Sequence, residues 1–330
     1  MSGRMRFRCK NPSVNGHAAQ DVIGLDLGGT FLKAARVSPD GTIGRRLREP
    51  VSGATADDLL SQLARAVRAL EEDGPVAVVG LGIPGIIERK DGCAHGVPNL
   101  PAIEGLPVGA ALEERCGRSA FAANDANAAA LAESWLGAGR DVESMLLVTL
   151  GTGVGGGLVF DGALFTGLAG YAGEVGHIQV EPNGVRCGCD SWGCIETIAG
   201  AAGWVRRAEE ALAKRPSVLA GRTLDQKVIA DAAREGDAVA LEVLDGTARA
   251  LGAGIAAVLN LLNLERVVIG GGVAAAGPIL LDRIVAEAKQ RTFPAVFAGC
   301  SFRPAALGSD AGVVGAARVA QLGLGARASA

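Results

Sequence analysis

The feature that most constrains the fold is a strand–glycine turn–strand pattern that occurs twice. Apolar residues of Ile23–Val37 flank the turn Gly28-Gly29-Thr30, and those of Leu146–Phe160 flank a turn that begins at Gly151. Apolar runs broken by glycine are typical of buried strands joined by tight turns. The similarity between the two segments is weak, but two such halves suggest a duplicated α/β lobe. A chain of 330 residues is long enough for two lobes of ordinary domain size.

The first turn follows a strand that delivers a carboxylate, Asp26, into Gly28-Gly29-Thr30. Glycine leaves backbone N–H groups accessible to phosphate oxygens. Asp26 is a suitable magnesium ligand, directly or through water, and Thr30 could donate its hydroxyl. A tight hairpin without a ligand explains the same glycines, so this motif alone leaves both interpretations open.

The second turn has five glycines within Gly151–Gly157, around Thr152 and Gly153. Glycine lowers strand stability, so packing does not explain the cluster. Two facing phosphate turns would hold a polyphosphate from both lobes, in a cleft between them. A glycine-rich bulged hairpin is the alternative.

Two segments also match the dinucleotide pattern G-x-G-x-x-G, namely Gly80–Gly85 and Gly151–Gly156. That fingerprint must open a helix whose N-terminus faces the pyrophosphate. The first contains Pro84 and leads to a turn, and the second runs into another apolar strand. We therefore exclude NAD binding. The sequence has no G-x-x-x-x-G-K-[ST], which excludes a P-loop.

Three of the seven cysteines lie within eight positions, as Cys187, Cys189 and Cys194, and His177 precedes them. Three thiolates and an imidazole form a complete tetrahedral set for zinc, which predicts a structural site without an open position. Incidental clustering is the alternative. The odd cysteine count and the scatter of the other four favour a reduced cytoplasmic protein over a disulfide framework.

Four polar residues complete the candidate site: Asn124, Asp125, Glu174 and Glu196. Asn124–Leu136 reads as a helix that opens on Asn-Asp, so one of the pair could cap the helix while the other faces the cleft. Glu174 and Glu196 flank the cysteine cluster, so a bound metal would fix both in space. Ordinary surface charge is the alternative for each.

Charge and hydropathy exclude other classes of protein. The net charge of −3 gives no basic footprint for nucleic acid. No apolar run reaches the roughly 18 residues of a membrane span. Residues 1–20 contain four basic residues without an apolar stretch behind them, and we read them as a disordered tail rather than a signal peptide.

Taken together, these residues resemble the ROK family of bacterial sugar kinases and related repressors, from about Asp21 to Leu322. The resemblance is carried by segments spread along the chain: Leu25–Thr30, Gly82–Gly85, Pro98–Leu100, Asn124–Ala130, Gly151–Gly153, Gly173–His177 and Cys187–Glu196. It implies a two-lobed actin/hexokinase-like (ribonuclease H-like) α/β fold with a zinc loop. The small lobe would comprise residues 21–122 plus about 309–325, through a final helix Ala311–Leu322, and the large lobe 123–308.

The resemblance also implies roles. Asp125 would be the general base for the sugar 6-hydroxyl, and the histidine would use one ring nitrogen for the metal and one for the sugar. The other implied sugar contacts are Gly85, Asn99, Asn124, Glu174, His177 and Glu196. The implied ATP and Mg²⁺ contacts are Asp26, Gly28, Gly29, Thr30, Lys33, Gly151, Thr152, Gly153, Gly271 and Gly272.

The function implied is an ATP-dependent hexose kinase, with glucose as the expected substrate and a homodimer as the expected assembly. Many family glucokinases carry a tryptophan shortly after Asn-Leu, and this chain has Pro101-Ala102-Ile103 there. N-acetylglucosamine, N-acetylmannosamine and fructose therefore remain alternatives. A sugar-responsive repressor is disfavoured because about 20 residues before the first strand are too few for a DNA-reading domain. An actin-like ATPase would leave the zinc loop without a purpose.

Overall fold

The computed structural model describes residues 20–271 and 276–328. The predicted tail, apart from residue 20, and Gly272 lie outside the described residues. The strands are β1 (Val22–Leu27), β2 (Phe31–Val37), β3 (Ile43–Pro50), β4 (Val78–Ile83), β5 (Ile86–Ile87), β6 (Ala94–His95), β7 (Ser119–Asn124), β8 (Ser144–Leu150), β9 (Val154–Phe160), β10 (Ala163–Leu164), β11 (Arg266–Gly271) and β12 (Ser301–Pro304). The α-helices are α1 (Ala56–Leu70), α2 (Val108–Cys116), α3 (Asp125–Trp135), α4 (Glu196–Ala199), α5 (Ala201–Leu212), α6 (Gln226–Arg234), α7 (Ala238–Leu262), α8 (Pro278–Arg291), α9 (Pro294–Gly299) and α10 (Ala311–Ala328).

The described residues divide into two compact units. The first unit comprises 20–132, 159–164 and 312–328, and the second comprises 133–158, 165–271 and 276–311. The two lobes proposed from the sequence, with their bounds at 122 and 309, remain a prediction. One five-stranded sheet lies within the first unit, and the other has its central strand β8 and the strands β11 and β12 in the second unit.

The sheet of the first unit has the order β3-β2-β1-β4-β7. β1 pairs antiparallel with β2, as the hairpin predicted, and β1, β4 and β7 run parallel. α1 packs on one face, and its N-terminus is a capping box in which Thr55 and Asp58 bond reciprocally. The carboxyl ends of three parallel strands therefore meet at one edge of this sheet.

The opposite face of the same sheet is covered by α10, which approaches the strands closely. A Cβ built on Gly24 would lie 2.1 Å from the carbonyl oxygen of Val313, and one on Gly80 would lie 1.7 Å from that of Ala316. Only glycine allows such an approach. The glycines of β1 and β4 thus let the helix backbone rest directly on the sheet.

The sheet of the second unit has the order β10-β9-β8-β11-β12, with β8, β11 and β12 parallel. In both sheets the first strand in the chain is central, the next two lie on one side of it, and the last two lie on the other. The predicted similarity between Ile23–Val37 and Leu146–Phe160 therefore extends to the whole sheet. Both turns with the G-x-G-x-x-G pattern lead into strands, β5 and β9, and not into helices. The α/β fold class and the exclusion of a dinucleotide fingerprint are confirmed.

The sequence reading was wrong at some element ends. α10 continues to Ala328 rather than ending at Leu322, and α3 begins at Asp125 because Asn124 still belongs to β7. Periodicity alone does not place such boundaries, which depend on caps and strand pairing. No helix in the described part of the chain is long and apolar enough to cross a membrane.

Candidate active site and metal centre

The carboxyl edge of the first sheet brings two carboxylates to neighbouring positions. Asp26 at the end of β1 is in register with Gly82 of β4, and Gly82 is in register with Ala123 of β7, two residues before Asp125. A Cβ built on Gly82 would lie 3.9 Å from the Cα of Asp125. Gly82 therefore lies between the strand of Asp26 and the start of α3, which carries Asp125.

Asp26 is largely shielded from water and carries a cation beside it. Its Oδ2 lies 3.5 Å from Nζ of Lys33, its antiparallel partner on β2, and its side chain is 18% exposed. Burial raises the pKa of Asp26, and the charge of Lys33 opposes that rise. Gly312 in the first turn of α10 packs against the carboxylate. A helix N-terminus and a lysine both favour the ionised form, which is the form that binds Mg²⁺.

Asn124 and Asp125 divide two tasks. Asn124 Oδ1 accepts a 3.0 Å hydrogen bond from the N–H of Asn127, and its Nδ2 donates a 2.7 Å bond to the carbonyl of Gly85. Asn124 is thus the cap of α3 and holds Gly85 in place. Asp125 is exposed, and its Oδ1 accepts a 2.8 Å bond from the N–H of Ala126. The exposed carboxylate is thus held at the N-terminus of α3.

Asn99 lies against the first glycine turn. A Cβ built on Gly29 would be 3.1 Å from Cβ of Asn99, whose side chain is exposed. The turn itself is closed by a 3.0 Å bond from the N–H of Gly28 to the carbonyl of Phe31. The structure therefore brings a predicted sugar contact next to a predicted phosphate turn.

The second unit has the corresponding turn, and Glu196 organises it. Glu196 Oε2 accepts a 3.0 Å hydrogen bond from the N–H of Val154, and a Cβ on Gly153 would clash with the same oxygen at 2.2 Å. The N–H of Ala201, the first residue of α5, donates to the carbonyls of Gly151 and Thr152 at 3.2 and 3.1 Å. The turn is thus locked by a carboxylate on one side and a helix start on the other.

Gly271 lies beside this turn at the same sheet edge. It pairs with Leu150, the last residue of β8, and has φ of 74°. A Cβ there would lie 2.1 Å from the carbonyl oxygen of Leu150. A side chain would therefore both strain the backbone and collide with β8.

The four predicted metal ligands come together. One ligand atom each of His177, Cys187, Cys189 and Cys194 lies within 4.8 Å of all the others. Sγ of Cys189 is 3.7 Å from Sγ of Cys194, and Sγ of Cys187 is 3.5 Å from Nδ1 of His177. Thiolates at about 2.3 Å from a tetrahedral zinc are about 3.8 Å apart. The donor set and its spacing fit zinc.

Backbone contacts shape the loop around these ligands. The N–H of Cys187 bonds to the carbonyl of Ser191 at 2.8 Å, and the N–H of Ile195 to that of Ile178 at 3.0 Å. Gly193 has φ of 61°, and a Cβ there would lie 1.6 Å from the carbonyl oxygen of Glu181. The loop therefore requires glycine at 193 for both conformation and space.

The other face of the histidine meets a carboxylate. Nε2 of His177 lies 3.8 Å from Oε2 of Glu174, while its Nδ1 faces the thiols. Loss of hydration raises the pKa of Glu174, the positive charge of His177 opposes that rise, and the negative charge of Glu196 adds to it. The two glutamates flanking the cysteines are thus electrostatic neighbours.

The predicted residues fall into two sets. Those in the first unit are Asp26, Gly28, Gly29, Thr30, Lys33, Gly85, Asn99, Asn124 and Asp125, and those in the second are Gly151, Thr152, Gly153, Glu174, His177, Cys187, Cys189, Cys194, Glu196 and Gly271. The sequence reading missed Gly82 and Gly312. Gly82 belongs to a quoted glycine motif, but nothing in Gly312 signals that it packs on Asp26.

Comparison with known proteins places these features in a family. The family model "ROK family" matches residues 22–322. The chain is 36% identical over 305 residues to a glucokinase of Thermotoga maritima, covering 90% of this chain and 96% of the relative. The structure of a ROK family glucokinase from Streptomyces griseus in complex with glucose and AMPPNP is 33% identical, with a TM-score of 0.79, 92% of this chain and 100% of that chain covered.

A structure of a ROK family transcriptional regulator, a homologue of the E. coli MLC protein, matches with a TM-score of 0.84 at 28% identity. It covers 94% of this chain and 79% of the regulator. These likenesses confirm the actin/hexokinase-like fold inferred from the motifs. With a family match over nearly the whole length, the chain belongs to the ROK family.

Proposed function

We propose that the chain is an ATP-dependent hexose kinase that transfers the γ-phosphoryl group to the 6-hydroxyl of glucose. The observation that carries the proposal is the exposed carboxylate of Asp125, held beside Gly82 at the edge where Asp26 also ends its strand. The likeness to glucokinases over about nine-tenths of the chain supports it.

Phosphoryl transfer depends on alignment and charge neutralisation more than on covalent help from the protein. Asp125 would accept the proton of the 6-hydroxyl late in the transfer, and Asp26 would hold Mg²⁺. The backbone N–H groups of the two turns would bind the phosphates of ATP. The residues assigned to ATP are Gly28, Gly29, Thr30, Lys33, Gly151, Thr152, Gly153, Gly271 and Gly272.

The remaining hydroxyls of the hexose would bond to Asn99, Asn124, Glu174, His177 and Glu196, with Gly85 beside them. A polar pocket of this kind rejects sugars that lack a hydroxyl, because the protein group is then left unpaired. His177 would orient the sugar through Nε2 while Nδ1 belongs to the metal set.

His177, Cys187, Cys189 and Cys194 would hold the zinc, which supplies structural crosslinking of the loop rather than a reactive metal centre. Through His177 this loop positions Glu174. A homodimer and a reduced, cytoplasmic setting remain predictions from the resemblance and the cysteine usage.

The test is a coupled ADP-release assay with ATP and Mg²⁺ across glucose, mannose, fructose, N-acetylglucosamine and N-acetylmannosamine. We expect glucose to give the highest kcat/KM. A higher value for an N-acetylhexosamine would replace glucose but keep the kinase. Hydrolysis of ATP at the same rate without any sugar would contradict the proposal.

The likeness to a transcriptional regulator favours one further candidate, sugar-responsive DNA binding. About a fifth of the regulator has no counterpart in the match, which covers 79% of its length. An electrophoretic mobility shift with genomic fragments, with and without glucose, separates the two functions. We expect no shift.

A further inference from the structure

The loop that carries Asn99 is closed by a carboxylate that the proposed chemistry does not use. Glu104 accepts hydrogen bonds from the N–H groups of Gly96 at 3.3 Å and Val97 at 3.1 Å. Its Oε1 also lies 3.3 Å from Nδ1 of His95. One side chain thus draws the far end of the loop onto its beginning.

Backbone pairing completes this closure. The N–H of Gly105 bonds to the carbonyl of Ala94 at 2.8 Å, and the N–H of Ala94 bonds to that of Leu106 at 3.0 Å. Within the loop, the N–H of Leu100 bonds to the carbonyl of Val97 at 3.0 Å, which turns the chain at Asn99. The residue that Glu104 grips, Val97, is therefore the same residue that starts the turn at Asn99.

His95 connects Glu104 to a second carboxylate. Its Nε2 lies 3.3 Å from Oε2 of Glu88, so the ring bridges Glu88 on one side and Glu104 on the other. Asp91 in the turn after β5 also faces it electrostatically. The imidazole thus links the carboxylate that holds the loop to a second carboxylate next to β5.

The bridge also adjoins the other sugar-side contact of the first unit. A Cβ built on Gly85 would lie 2.6 Å from the carbonyl oxygen of His95. The carbonyl of Gly85 in turn accepts the bond from Asn124. The backbone of His95 therefore adjoins Gly85, and its side chain contacts the carboxylate that holds the start of the Asn99 loop.

We propose that Glu104, linked through His95 to Glu88, is a positioning residue that sets Asn99 for the hexose. The inference rests on the proposed function, because Asn99 must contact the sugar. The bridge is partly open to water, with His95 38% and Glu104 48% exposed, so each ion pair alone is weak. The effect comes from one carboxylate holding several groups at the loop's start.

The experiment measures KM for glucose, KM for ATP and kcat. In Glu104→Ala we expect KM for glucose to rise about tenfold, as for lost bonds to a charged acceptor, with kcat and KM for ATP within about twofold. Glu114→Ala, an exposed glutamate of α2, is the matched control and should match wild type.

His95→Gln is the second variant, because it removes the link between Glu104 and Glu88 with a smaller change in structure. We expect KM for glucose to rise about threefold in this variant, the size of one partly exposed polar contact, with kcat and KM for ATP within about twofold of wild type. Thermal unfolding of each variant checks that the fold is kept.

If both variants show the wild-type KM for glucose, the inference is wrong while the kinase assignment stands. If kcat falls and KM for ATP rises together with KM for glucose, the role is general stability and the inference is also wrong. If wild type shows no hexose-dependent turnover, the proposed function and this inference fall together.

Discussion

The two sheets share a strand order and differ in the chemistry at their ends. Asp26 of β1 pairs with Gly82, and at the matching place in the second sheet Thr149 of β8 pairs with Gly270. In each sheet, a residue near the carboxyl end of the central strand thus pairs with a glycine of the neighbouring strand. In the first sheet that residue is a carboxylate, and in the second it is a threonine. The strand arrangement is repeated in the two sheets, whereas the carboxylate at this position belongs to the first sheet.

A second difference lies two residues further into the sheets. Gly24 pairs with Gly80 in the first sheet, and Leu147 pairs with Val268 at the matching place in the second. The glycines admit the backbone of α10, whereas Leu147 and Val268 are fully buried side chains. The same strand plan is therefore stabilised by backbone contact in one unit and by apolar side chains in the other.

The largest expected effect is at the carboxylate of the first unit. Asp125→Asn keeps the oxygen that accepts from Ala126, so the fold should remain, but a base contributes about two to four powers of ten in rate. We expect kcat in the ADP-release assay to fall by that amount. Asp73→Asn, at an exposed site of the same unit, is the control. Wild-type turnover in Asp125→Asn would show that this unit does not supply the base.

The next effect concerns the four candidate metal ligands, which belong to the second unit. Cys189→Ser replaces a thiolate with a weak ligand, so most of the zinc should be lost and KM for glucose should rise. Atomic emission of the purified protein measures the metal. Cys300→Ser in the same unit should keep its zinc. Equal zinc in both variants would contradict the ligand set.

The third prediction tests the contrast between the glycine pair and the Leu–Val pair. Gly80→Ala would drive a methyl into the carbonyl of Ala316, and we expect a loss of about 1–3 kcal/mol in the free energy of unfolding, as in other overpacked cores. Urea unfolding measures it. Gly299→Ala, whose Cβ would meet nothing within 4 Å, should change little. An unchanged Gly80→Ala would mean that α10 does not rest on β4 as described.

The smallest effect is expected at Glu196, which holds the second glycine turn through Val154. Glu196→Gln keeps an oxygen for the N–H of Val154 but loses its charge, so kcat/KM for glucose should fall about fivefold, as for one hydrogen bond. KM for ATP should stay within about twofold, because the turn is still held by Ala201. Glu209→Gln, exposed on α5, is the control. A large rise in KM for ATP alone would instead assign Glu196 to the nucleotide.

Local patterns predicted the hairpins and the set of four metal ligands. These features depend on residues close in the chain: Gly28-Gly29-Thr30 joins neighbouring strands, and Cys187, Cys189 and Cys194 lie within eight positions. Spacing over such distances is constrained by backbone geometry, so residue type and position are enough.

The roles of individual residues within the candidate site were harder to predict from the sequence. Whether Asn124 or Asp125 capped α3 stayed open until Asn124 was found bonded to Asn127 and Gly85. The closure of the Asn99 loop by Glu104 gave no motif at all. Each of these roles depends on which backbone groups a side chain contacts, and the sequence contains several acceptors of the same chemical type.

By itself the sequence determined the α/β class, the doubled glycine turns and the set of candidate metal ligands, because each is a short-range consequence of residue type and spacing. Only the tertiary structure decided that Gly24 and Gly80 receive a helix more than 200 residues away in the chain, and that Gly312 packs on Asp26. Contacts at such separations follow from how strands align and helices pack, and no local pattern encodes them.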